Sequence, residues 1–276
     1  MKKLIAMLLS IVMIIGATLS FTACGDDAMD DWADVQEKGY FRCGITVYAP
    51  MNYFDEEGSL TGFDTELAIA VANYLNVEAK FQVIDWPSKY LELNSGAIDL
   101  IWNGYTYGDE DGISRTEYVD FTHAYLKNEQ CIVVRTADLA SFTAKASFAG
   151  KLAAVEGGSS GEGIAKDLGA DGDKLVQKTS QALALNELVA NQVDYCVIDL
   201  QMAKAMVGKN DFASLTICTV SDFTIEPEVY AIGARKGSNL TAKINEALEA
   251  LSADGTIATL AAKYNLQNDV IANIGK

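Results

Sequence analysis

Short apolar, β-branched runs alternate with helical patterns along most of this 276-residue chain. "YFRCGIT" reads as a strand. "DTELAIAVANYLN" places Leu67, Ala70, Val71, Tyr74 and Leu75 on one helical face, with Asp64 suited to cap it. "EAKFQVI" is a strand, "PSKYLELNSG" a helix with Pro87 near its start, and "AIDLIWN" a buried strand. The alternation resumes with the strands "QCIVVR" and "KLAAVE", the helix "SGEGIAKDLG" and the strand "KLVQKT". It continues through "SQALALNELVANQ" (helix), "VDYCVID" (strand), "LQMAKAMVG" (helix), "SLTICTV" and "EVYAIGARK" (strands) to two terminal helices. A short helix at "DWADVQEKG", capped by Asp30 or Asp31 and ended by Gly39, precedes them. Repeated βα units predict an α/β architecture with mostly parallel sheets. The length predicts about two domains. Polar stretches at 126–130 ("LKNEQ") and 222–228 ("DFTIEPE") are the candidate breaks; two crossings there make the middle segment one lobe and the flanks together another.

A net charge of −17 repels nucleic acid and anionic headgroups, which argues against DNA or RNA as a partner. The N-terminus carries Lys2 and Lys3, an apolar run from Leu4 to Leu19 and then small residues, the pattern of an export signal. "FTAC" resembles the lipobox of bacterial lipoproteins, in which the cysteine is lipidated and becomes the mature N-terminus; Phe21 stands where leucine is usual. Cys24 is the position that would carry the lipid, and "GDDAMDD" then serves as a tether. The other cysteines, Cys43, Cys131, Cys196 and Cys218, sit singly in strand-like runs and read as small buried hydrophobes; an exported location also permits a disulfide.

Chemistry-bearing constellations are few. One histidine, His123, cannot build a zinc site with unpaired cysteines. "YGDEDGIS" half resembles a calcium loop but has Tyr107 in the first position and Tyr118 in the twelfth, where carboxylates belong. Nucleophilic catalysis needs a serine or cysteine with a histidine base, and the one histidine sits directly after "DFT". "VEGGSSGEG" follows a strand and opens a helix, so Ser159 and Ser160 fall where free N–H groups and hydroxyls hold an anion or simply cap the helix. Asp199 in "VIDLQ" ends a strand, where open α/β sheets gather ligands and where an N-cap aspartate also sits. Arg115 stands between the acidic turn and "YVDF", within reach of Asp109 or Asp111 or of something arriving from outside.

"GFDTELAIAVANYL" (62 to 75) closely resembles the signature of family 3 bacterial solute-binding proteins, the receptors of polar amino-acid ABC transporters. "YAPMNY", "SGAIDLIWNGYT", "RTEYVDFTHAYL", "LAAVEGGSS", "VDYCVID" and "LSADGTIATLAAKYN" follow in the family's order, so the resemblance spans residues 32 to 266. It implies a periplasmic binding protein type II fold: two α/β lobes joined by a two-crossing hinge. The division expected is a signal peptide at 1–23, a lipidated tether at 24–31, lobe I at 32–127 and 227–276, and lobe II at 128–226. The resemblance assigns Arg115 to the ligand's α-carboxylate, with Ser160 and the Ser159 backbone beside it, and Asp199 to the α-ammonium. Gly104 and Thr106 match polar contacts from lobe I, while Trp86 and either Tyr48 or Tyr53 line the pocket for the side chain. No metal and no cofactor are implied. The expected protein is a lipid-anchored monomer that delivers a polar L-amino acid, neutral or cationic for want of a second pocket arginine, to an ABC permease. Two rivals share the fold: a dehydratase resembling cyclohexadienyl dehydratase, with Glu156 or Glu162 as the acid, and a sensory module of a membrane signalling protein.

Overall fold

The computed structural model describes residues 30–110 and 113–275. The first part runs α1 (Asp31–Lys38), β1 (Tyr40–Ile45), β2 (Tyr53–Phe54), β3 (Leu60–Thr61), α2 (Phe63–Tyr74), β4 (Glu78–Val83), α3 (Lys89–Asn94) and β5 (Leu100–Ile101). Four short strands follow: β6 (Thr106–Tyr107), β7 (Asp109–Glu110), β8 (Ile113–Ser114) and β9 (Val119–Phe121). The long β10 (Leu126–Arg135) leads into β11 (Ala153–Glu156), α4 (Ser160–Asp167), β12 (Leu175–Lys178), α5 (Gln181–Val189), β13 (Tyr195–Asp199), α6 (Leu200–Met206) and β14 (Leu215–Cys218). β15 (Pro227–Tyr230) brings the chain back to β16 (Gly233–Arg235), α7 (Leu240–Ala253) and α8 (Thr256–Lys263).

Two larger sheets result, beside the two-stranded pairs β2–β3 and β7–β8. The first is ordered β4-β1-β5-β16-β9 and the second β12-β11-β13-β10-β15-β6, with β14 also on β10. The βαβ units are parallel as their spacing predicts: β1 lies along β4 and β5, and β11 along β12 and β13. The remaining pairings are antiparallel, more than the sequence reading allowed. β10 runs against β13, β14 and β15, and β16 against β5 and β9. A parallel neighbour needs a crossover helix, and strands that enter a sheet from the other lobe come without one. The two polar stretches come side by side, where Leu126–Glu129 pairs with Pro227–Tyr230.

Helix α2 differs from its sequence reading in two respects. Its buried face is Phe63, Leu67, Ala68, Val71 and Ala72, packed against β4, α7 and α8, while Tyr74 is exposed and Ala70 and Leu75 are half-buried. The N-cap is Gly62, not Asp64. At φ 120° an added Cβ on Gly62 would lie 2.2 Å from Met51 O, so the backbone must pass bare. The first amides then find carbonyls instead of a side-chain cap: Phe63 N donates to Pro50 O (2.8 Å) and Asp64 N to Met51 O (3.0 Å). Asp64 is left available for another task.

The readings of the α1 cap and of the buried cysteines agree with the structure. Asp30 caps α1 through Ala33 N, and Gly39 ends it in the left-handed conformation. Cys43, Cys131, Cys196 and Cys218 are free and buried. His123 is a surface residue, its Nε2 3.0 Å from Glu249. Among the described residues no cluster of three metal-ligating side chains occurs, and no helix is long and apolar enough to cross a membrane. Cys24 and the N-terminal segment lie outside the described residues.

Candidate functional site

The strand ends of the second lobe and the loops of the first meet at one cavity. Arg115, in a single turn after β8, is 1% exposed. Its Nη1 donates to Thr106 O (2.9 Å) and its Nη2 to Gly158 O (3.3 Å), with the guanidinium 5.0 Å from the centre of the Tyr105 ring. It therefore touches backbone from both lobes. The side chains of Asp109 and Asp111, its rivals in the acidic turn, lie outside what the structure describes.

Asp199 stands across the same cavity, 4% exposed at the end of β13. It makes no cap bond to α6. Instead its carboxylate accepts from three side-chain amides on two elements: Asn128 and Gln130 (2.7 Å) on β10, and Gln181 on α5. Asn128 and Gln130 also donate to Glu228 on β15, since one amide NH2 carries two hydrogens. Burial, reinforced by the nearby Glu228 charge, raises the Asp199 carboxyl well above its ordinary range. A cation beside it would relieve that.

Ser159 stands at the N-cap position of α4 without a side-chain cap bond, and Ser160 begins the helix; the buried Ser160 Oγ has no hydrogen-bond partner. Trp86, which opens the turn before α3, lines the cavity edge-on to Tyr105 with its Nε1 likewise unpaired. Gly104 and Thr106 complete the first-lobe wall. Gly104 has φ 54°, and a Cβ there would meet Tyr48 at 2.7 Å and Tyr230 at 3.0 Å. The task left to Asp64 is now visible: its Oδ2 accepts from Gly104 N (2.6 Å) and Tyr125 Oη (2.9 Å). Full burial pushes its carboxyl up to about 7. The acid of "GFDTE" thus fixes the loop that walls the site.

Seven of the nine residues singled out from the sequence line this cavity; the two tyrosines do not. Tyr48 packs behind Gly104, with its hydroxyl 2.6 Å from that of Tyr230. Tyr53 sits on the β2–β3 hairpin beside a separate depression near Tyr264. Asn103, Gln130, Glu156 and Gln181 also line the cavity and escape the sequence reading as ligand contacts, although Glu156 enters it as a dehydratase's acid. A run of polar residues at strand ends was their only signal. Glu162, the other candidate acid, is consumed structurally: it accepts from Gly158 N (2.8 Å) and Gln177 (2.7 Å) and pairs with Lys166 (2.8 Å).

A buried guanidinium facing a buried carboxylate across a small cavity is complementary to a compact molecule bearing both charges. Comparison with known proteins agrees. The sequence profile of the bacterial extracellular solute-binding proteins, family 3, matches residues 41–267. A probable histidine-binding protein of Neisseria gonorrhoeae is 29% identical, the match covering 96% of each chain. The L-cystine-binding protein TcyA of Bacillus subtilis is 28% identical over 96% of this chain and 97% of its own. Among solved structures, an ABC uptake transporter substrate-binding protein from Streptococcus pneumoniae with bound histidine superposes at TM-score 0.74, with 31% identity, 86% of this chain and 96% of that one. An ancestral arginine-binding protein bound to arginine gives 0.72 with 34% identity, covering 82% and 98%. The two-lobed architecture is that of the type II periplasmic binding proteins. This chain is a member of the bacterial extracellular solute-binding proteins, family 3.

Proposed function

We propose that the protein captures a polar L-α-amino acid between its lobes and delivers it to the permease of an ABC importer, performing no chemistry on it. One observation carries the reading: the buried Arg115 guanidinium and the buried Asp199 carboxylate line one cavity, with an unpaired Ser160 hydroxyl between the lobes. The ligand's carboxylate binds Arg115 and Ser160; its ammonium binds Asp199. Relatives named for binding histidine, cystine and arginine support the ligand class. Lobe I comprises 32–127 and 227–276 and lobe II 128–226, which agrees with the paired crossing strands. Residues 1–23 direct export, and a lipid on Cys24, followed by a tether at 24–31, holds the protein at the outer face of the membrane, where a closed, loaded monomer meets the permease.

Calorimetric titration of ligand-stripped protein against the common L-amino acids and cystine tests this, with Arg115→Ala alongside. Loss of one partner of a buried charge pair costs about 2–5 kcal/mol, so the variant binds roughly 30-fold or more weakly. Affinity unchanged by the substitution removes Arg115 from the site. A dehydratase on this fold would use Glu156, the acid that does line the cavity. Mass analysis of ligand recovered after prolonged incubation separates the two: a carrier returns it unaltered.

A further inference from the structure

We propose that Glu156 reads the ligand's side chain and selects an L-amino acid whose side chain is positively charged. The inference rests on the amino-acid reading of the cleft. Glu156 ends β11, is 3% exposed, and lines the same cavity as Arg115, Ser160 and Asp199. Its Oε1 has no hydrogen-bond partner, a costly state for a buried polar atom. A zwitterion's two charges answer Arg115 and Asp199, which leaves Glu156 as a third charge for the remainder of the ligand.

The groups facing Glu156 are Asp199 on β13, Lys89 on α3, Arg115, and the backbone amide of Gln181 on α5. Lys89 is the one cation among them not assigned to the ligand's carboxylate. Its Nζ donates to Gly158 O (3.0 Å) and lies over the rings of Trp86 (5.3 Å) and Tyr90 (4.5 Å). Burial, with Asp199 adding to it, pushes the Glu156 carboxyl up to about 8, so in the empty cleft at neutral pH it holds its proton. An ammonium or guanidinium arriving beside it favours the carboxylate, and the proton leaves to solvent. An uncharged side chain gives no such return.

Calorimetry on refolded, ligand-stripped protein at pH 7 tests this with L-arginine and L-lysine against L-citrulline, the uncharged isostere of arginine. Two buffers of different ionisation enthalpy report proton release. A buried charge contact predicts arginine over citrulline by roughly 30-fold or more. Glu156→Gln, close to isosteric, narrows that ratio by about tenfold or more and reduces the proton release with arginine to that seen with citrulline, which the ammonium at Asp199 alone produces. Proton release is read on the unaltered protein and so does not depend on the variant folding. A tightest ligand with an uncharged side chain, or an arginine preference that survives the substitution, overturns the assignment while the amino-acid carrier stands. Failure of every L-amino acid to bind overturns both.

Discussion

Replacing Asp64 with asparagine isolates the energetic consequence of burying the acid of "GFDTE". The carboxyl is fully buried and its pKa rises from an ordinary 3.8 to about 7. A folded-state pKa above the unfolded one means that the native protein binds more protons through this window. Stability is therefore greatest below about pH 4 and declines as pH rises through about 7. Three units at about 1.36 kcal/mol each set the decline from this one group at roughly 4 kcal/mol. Asparagine at this position cannot ionise, so the variant lacks that decline. The amide oxygen can still accept from Gly104 N and Tyr125 Oη, while the amide NH2 falls where Asp64 Oδ1 now lacks a partner, a constant cost of about 1–3 kcal/mol. The slope, not the offset, is thus the decisive quantity. Urea unfolding of ligand-stripped protein at intervals from pH 5 to 8 measures it. Asp199 and Glu156 give both proteins a background of the same sign, which cancels in the difference. A stability gap between the two proteins that stays constant across the range refutes the reasoning, since Asp64 would then carry the same charge throughout.

Two further outcomes follow from the same geometry. Gly104→Ala forces an alanine to φ 54° and its Cβ to 2.7 Å from a Tyr48 ring held by the Tyr230 hydroxyl; the strain of about 1–3 kcal/mol lowers the melting temperature by roughly 3–10 °C and weakens ligand binding, both measurable in one thermal-shift titration. Cys24→Ala removes the acceptor of the proposed lipid, and cell fractionation should find the variant released from the membrane while purified protein binds ligand unchanged.

The βα alternation was legible because each buried strand or amphipathic helix writes its own local pattern: "YCVID" is fully buried as β13, as its apolar run implies. The strand directions were less so, because β10, β15 and β16 obey the route between lobes, a non-local fact. Asp64 was misassigned for a similar reason. Its position suits a cap, but the carbonyls of Pro50 and Met51 had already taken the helix amides, and its partner is Gly104, forty residues away. Arg115 and Asp199 were reachable through the family's motifs, whereas Asn128, Gln130, Gln181 and Glu228 converge only when the strands are laid side by side. Polar residues near strand ends look like solvated surface until the opposing lobe covers them.

The two crossing strands are bonded to each other as well as to their lobes, with Lys127 opposite Val229 and Asn128 opposite Glu228. A ladder of this kind resists one strand sliding past the other, because a slip of register breaks every rung together. Bending and twisting leave the rungs intact. The connection therefore behaves as a leaf spring, free to flex and stiff in shear. Asn128 and Gln130, which brace Asp199 and also hold Glu228, sit on the spring, where a rotation would displace atoms least. Arg115 and Gly158 approach each other from opposite lobes and travel further for the same angle. A rotation about this ladder would thus divide the site by leverage into an end that keeps its shape and an end that the movement assembles.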